Sequence, residues 1–177
     1  MSALVDKILE IDRALDHADI PHAFGGALAL AWCTQRARGT IDIDINVFVD
    51  GSRAPELLAA LPDDVRWSDA DRALIERDGQ VRLWWGETPV DVFLNTTEFH
   101  EQVAERCRRE PFAGRELPFL GCTDLAVFKA FFDRTKDWAD LEEMAAAGTL
   151  DVDRVAGILA HHLGPTDARI SRLRSLP

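Results

Sequence analysis

Lysine is nearly absent from this chain: only Lys7, Lys129 and Lys136 occur among 177 residues. With 20 basic and 31 acidic residues the net charge is −11. That balance argues against a general electrostatic grip on nucleic acid, because a phosphate backbone rewards positive charge. Arginine carries what positive charge there is, clustered at Arg106, Arg108, Arg109 and Arg115 and again at Arg169, Arg172 and Arg174. These clusters read as solvated helix surface in preference to a track for a polyanionic acceptor. Cysteine is scarce too. Cys33, Cys107 and Cys122 show no paired spacing, which speaks against a disulfide framework or a zinc site and for reduced thiols. The longest apolar run, Ala27 to Cys33, is too short to cross a bilayer. The N-terminal residues lack a basic start followed by an apolar stretch and a small-residue cleavage site. The expectation is a cytoplasmic protein with no membrane partner. There is no internal repeat, no low-complexity linker, and no Ser, His and acid in a context that suggests a nucleophilic triad.

What is present is ordinary for a globular domain: 47% apolar and 29% charged residues. Leu4, Val5, Ile8, Ile11 and Leu15 predict an amphipathic helix over 3–18, stopped by Pro21. A short buried helix follows the Gly25-Gly26 turn, and Pro55 opens another that reaches Leu61. Asp78-Gly79, between Ala73–Arg77 and Val81–Trp85, reads as a hairpin turn. A second turn at 86–89 leads into the alternating strand Val90–Leu94. One of Trp84 and Trp85 is expected in the core. Beyond, the pattern is helical over about 98–109, 123–134, 137–147 and 151–163. Thr123, Asp137 or its neighbour, and Asp151 are candidate N-caps, and Gly148 and Gly164 candidate stops. The outline is α+β: a small mixed β-sheet flanked by helices, followed by a helical part. The expected division is a core over 1–97 and a C-terminal helical part over 98–177, packed as one unit.

The segment Ile41 to Asp50 carries the chemistry. Ile41, Ile43, Ile45, Val47 and Val49 alternate with Asp42, Asp44 and Asn46, the period of a half-buried strand. Asp42 and Asp44 then project from one face, about 6–7 Å apart. Two like charges side by side are poor for stability and good for holding divalent metal. Alone, such a pair is more often the solvent face of an edge strand. Here it stands in an ordered series: Gly25-Gly26 before a helix, Arg38 and Thr40 ahead of the pair, and Asp91 on a later strand. Glycine lets backbone N–H groups approach a phosphate at a helix N-terminus. Asp91 would complete the ligand set and take a proton from an attacking hydroxyl. Lys129, among Phe128, Phe131 and Phe132, must snorkel or pair. Arg38 is a candidate partner of Asp42 or Asp44 when no metal is bound.

FGGALALAW, RGTIDIDINVFV and PVDVFL together resemble the nucleotidyltransferase superfamily that includes DNA polymerase β. The resemblance implies metal-ligand roles for Asp42, Asp44 and Asp91 and a triphosphate-facing turn at Gly25 and Gly26. Asp124-Leu125, Lys129, Arg134, Lys136-Asp137 and Asp140-Leu141 are similar to the later motifs of the AbiEii-type (MNT-like) branch, which includes toxins of toxin–antitoxin pairs. On that resemblance Lys129 would contact nucleotide phosphates and Asp137 would also be needed. It implies two Mg²⁺ or Mn²⁺ ions, an NTP substrate, and an acceptor hydroxyl on a tRNA, a protein or a small molecule, with a cognate toxin or antitoxin as a possible partner. A silent fold acting as a binding or antitoxin-like protein is the alternative. Gly26 stands where many active members have serine, and fifteen residues separate Gly26 from Asp42, longer than the tightest version of the motif.

Overall fold

The computed structural model describes residues 3–176. In chain order the elements are α1 (Ala3–His17), β1 (His22–Phe24), α2 (Gly26–Thr34), β2 (Ile43–Val47), a 3₁₀ turn (Gly51–Arg53), α3 (Ala54–Ala60), β3 (Val65–Arg66), α4 (Asp69–Asp78), β4 (Gln80–Trp85) and β5 (Thr88–Leu94). Then come α5 (Glu98–Ala104), β6 (Arg108–Phe112), β7 (Arg115–Phe119), α6 (Cys122–Phe132), α7 (Thr135–Ala146), α8 (Val152–Leu163) and α9 (Ala168–Arg174). The chain divides into two compact units, residues up to 28 with 39–119, and 29–38 with 120 onward.

The first unit is built on one mixed sheet, ordered β3-β4-β5-β2-β1-β7-β6. β2 runs parallel to β5 and antiparallel to β1. Ile43, Ile45 and Val47 of β2 and Val90, Val92 and Leu94 of β5 are buried. The alternation read in the sequence therefore places one row in the core and leaves Asp44 and Asp91 on the other. α1 buries Ile8, Leu9, Ile11 and Leu15, as its helical spacing predicts. In the second unit α6 to α9 bury Leu125, Trp138, Leu141, Met144, Val155, Leu159, Ile170 and Leu173.

Several sequence expectations change. β2 starts at Ile43, so Ile41 does not share the core face and is 78% exposed. Asp78-Gly79 is not a hairpin. Ser68 and Asp71 close a capping box that starts α4, and Gly79, at φ +68°, ends it in the left-handed conformation. The hairpin joins β4 to β5 through Gly86-Glu87, pairing Trp85 with Thr88. Trp85 is the buried tryptophan and Trp84 the exposed one. The helix over 98–109 stops at Ala104, and Arg108, Arg109 and Arg115 lie on the β6–β7 hairpin rather than on a helix. α6 is preceded by Gly121, not Thr123, and Asp137 lies inside α7 rather than capping it. Asp151 does cap α8, accepting from the Arg154 amide. Cys33 and Cys122 are joined as a disulfide, contrary to the expected reduced thiols. Their separation of 89 residues gives no spacing cue. Cys107 is free.

Candidate active site

The register of the sheet brings the acidic residues together. Asp44 of β2 is the direct partner of Asp91 on β5, and Asp91 in turn is opposite Arg82 on β4. Direct partners point to the same face, so Asp44, Asp91 and Arg82 form a row across three strands. Asp42 sits just before β2, where Thr40 Oγ1 donates to its carboxylate and accepts the Asp42 amide at 3.3 Å. Thr40 is thus a brace for Asp42.

The glycine turn meets the same row. The Gly25 N–H donates to the Asp44 carbonyl at 2.9 Å. That amide is committed to the neighbouring strand. The first-turn amides of α2, from Gly26 on, have no intrahelical acceptor. Gly26 has φ +50°, and a Cβ there would lie 1.8 Å from Asp44 Oδ2. The turn needs glycine for its conformation and for the close approach of Asp44. A serine side chain in this backbone would occupy the space that the Asp44 carboxylate fills.

Arg82 was not foreseen. Its Nε and Nη2 donate to the two Asp91 oxygens at 2.7 and 2.6 Å. The Asp91 hydrogen bond lifts the guanidinium above its ordinary range, and the charges of Asp42 and Asp44 add to the effect. Only the register could reveal it, because Arg82 and Asp91 face each other across the β4–β5 hairpin, and the turn expected at 86–89 did not by itself fix which residues pair. Asp42, Asp44 and Asp91 do not bring one oxygen each within 4.8 Å of one another; among the described residues Asp12, Asp16 and His22 do so. The donor set still fits a hard divalent cation. It is all oxygen, it carries three negative charges, and Arg82 supplies the positive charge that such a set requires.

The second unit holds the other predicted residues. Lys129 is 7% exposed and donates from Nζ to Asp140 Oδ2 at 2.5 Å, with Asp137 Oδ1 at 3.8 Å. Arg38 donates to the other Asp140 oxygen. The pairing described for Arg38 is with Asp140. Arg134 Nε reaches Asp137 Oδ2 at 2.6 Å. Asp140 is the hub of this network. Its place in the Lys136-Asp137…Asp140-Leu141 segment was visible, but its role was not.

No family model matches the chain, and no curated protein sequence matches it. Solved structures do. The solution structure of the antibiotic-resistance factor ANT(2'')-Ia superposes with a TM-score of 0.65 at 19% identity, over 97% of this chain and 95% of that one. This is the nucleotidyltransferase fold. The crystal structure of ANT(2")-Ia with adenylyl-2"-tobramycin gives 0.63 at 19% identity, over 98% of both chains. A lincomycin-bound lincosamide antibiotic adenylyltransferase, LnuA, gives 0.55 at 14% identity, over 80% of this chain and 96% of that one. The expected α+β class with a mixed sheet and flanking helices is therefore met by the nucleotidyltransferase fold. No described helix is long and apolar enough to cross a membrane.

Proposed function

We propose that the protein transfers a nucleoside monophosphate from an NTP to a hydroxyl of a small molecule, releasing pyrophosphate. One observation carries the reading. The glycine turn, Asp44 and Asp91 meet in a single row, with Gly26 pressed against the Asp44 carboxylate. Asp42, Asp44 and Asp91 would hold two Mg²⁺ or Mn²⁺ ions. When bound, such ions stabilise the entering and leaving oxygens of an in-line phosphoryl displacement. The first turn of α2 offers its free amides to the phosphates. Asp91 accepts the proton of the acceptor hydroxyl as its oxygen bonds to the α-phosphorus and the bond to pyrophosphate breaks. Arg82 holds the Asp91 carboxylate in position through its two hydrogen bonds. For Arg38, Lys129 and Asp137 a nucleotide role rests on the resemblance alone. Their network with Asp140 supports a positioning role within their own unit.

For the acceptor, small hydroxylated compounds are favoured over tRNA or protein. The fold matches at nearly full length a protein caught with an adenylylated tobramycin, and the net charge of −11 disfavours RNA. The reading requires no toxin or antitoxin partner. The test offers each of four α-labelled NTPs, with Mg²⁺ or Mn²⁺, to separate pools of aminoglycosides and lincosamides, total tRNA, and lysate protein. Label in the small-molecule pool is the expected result. Label in tRNA or protein would replace the acceptor class. A silent fold has one observation in its favour, the grip of Arg82 on Asp91, and metal-dependent NTP binding with no label anywhere would select it.

A further inference from the structure

Asp12 lies on the inner face of α1 at 0% exposure, and His22 opens β1 at 6%. Asp12 Oδ1 and His22 Nε2 are buried without a hydrogen-bond partner among the described residues. Buried polar atoms nearly always have partners, so two facing orphans need an explanation. His22 Nδ1 stands 3.0 Å from the Ile20 carbonyl oxygen. A carbonyl only accepts, so Nδ1 carries the proton, and in the neutral ring Nε2 presents a lone pair. In that form the lone pair faces Asp12 Oδ1 at 3.4 Å. Two acceptors so placed repel unless something positive stands between them. Asp16 follows Asp12 by four residues on α1, the spacing that puts both on one helix face. One ligand atom from each of Asp12, Asp16 and His22 falls within 4.8 Å of the others.

We propose that Asp12, Asp16 and His22 form a site for one divalent transition-metal ion of the zinc class, distinct from the Asp42, Asp44 and Asp91 row. Donors about 2.1 Å from a tetrahedral ion stand roughly 3.4 Å from each other, which is the spacing of the His22 and Asp12 atoms. Asp16 is exposed and free to turn in as the third ligand, with water as the fourth. The imidazole selects zinc-like ions over magnesium or calcium. The His22 Nδ1 contact with a backbone carbonyl is the outer hydrogen bond that orients metal-bound histidines. Arg115 Nη2 occupies Asp12 Oδ2 at 3.2 Å, fixing that carboxylate with Oδ1 turned toward His22. His22 pairs with Val47 across β1 and β2. The ion would therefore fasten α1 to the sheet, a structural task independent of nucleotide transfer.

The experiment titrates chelator-stripped Asp42→Asn/Asp44→Asn protein with Zn²⁺ and Co²⁺, so that the other acidic row cannot answer for the site. The expected result is one equivalent bound at micromolar affinity or tighter, a higher melting temperature, and the visible absorption of tetrahedral Co²⁺. Asp16→Asn, an exposed change that leaves the fold intact, should weaken binding at least about 10-fold. His22→Gln should abolish it. Substoichiometric binding, or equal affinity in Asp16→Asn, would overturn the site. So would a ¹⁵N spectrum showing His22 protonated on both nitrogens in excess Zn²⁺, since a proton would then fill the gap.

Discussion

Gly26 is where backbone and chemistry meet most tightly. Its positive φ disfavours any side chain by about 1 kcal/mol, and a Cβ would collide with the Asp44 carboxylate. Gly26→Ala should stay folded, melt lower, and lose most transferase activity because Asp44 is pushed off its row. A melting curve beside a turnover assay checks both parts. Arg82 makes a second residue-scale prediction. Arg82→Gln leaves Asp42, Asp44 and Asp91 without their counter-charge. The half-exposed pair is worth only about 1 kcal/mol, but Mg²⁺ should now supply the missing charge. The rise in melting temperature on adding millimolar Mg²⁺ should exceed that of wild type; an equal rise would show that Arg82 does not neutralise the row. The acidic pair and the third Asp were legible because alternation fixes which side chains share a face. Arg82 was not, because its contact depends on the β4–β5 register, which a two-residue turn at Gly86-Glu87 sets.

Among the elements, α6 and α7 depend on one buried carboxylate. Asp140 holds Lys129 and Arg38 together. Removing one partner of a buried ion pair costs about 3–5 kcal/mol, because the other charge stays behind unpaired. Asp140→Ala should therefore lower unfolding free energy by several kcal/mol in urea, toward the low end because Asp137 lies 3.8 Å from Lys129 Nζ. α5 carries a pH dependence. Burial pushes the His100 imidazole down to about 4 from 6.5, and its Nδ1 accepts the Thr96 amide at 3.4 Å. The unfolded chain takes up this proton first, so the stabilising contribution of the neutral ring is complete above about pH 6.5 and is lost as pH falls toward 4. His100→Gln should flatten that part of the stability–pH curve. Helices with clear apolar spacing, such as α1, were legible. α4 was missed because Asp-Gly serves equally as a hairpin turn and as a helix end, and only Ile75 of that helix is buried. The β6–β7 hairpin was missed because its charged residues, Arg108, Arg109 and Arg115, follow no strand-like alternation.

For the molecule as a whole, the order of motifs carried the fold further than any single motif did. Gly25-Gly26, Asp42, Asp44 and Asp91 are short signals, but their sequence fits one sheet topology, and solved structures of that fold superpose over nearly the full chain. The Cys33–Cys122 link was invisible to spacing because it joins residues 89 apart. Closing so long a loop stabilises by about 2–4 kcal/mol, so reduction, or Cys122→Ser, should lower the melting temperature by several degrees. The most direct test of the account compares wild type with Asp44→Ala. Each is incubated with NTP, Mg²⁺ and hydroxylated antibiotics, while pyrophosphate release and the mass of the acceptor are followed. The account predicts pyrophosphate and an acceptor heavier by one nucleoside monophosphate for wild type, and neither for a folded Asp44→Ala. Equal turnover by folded Asp44→Ala would contradict it.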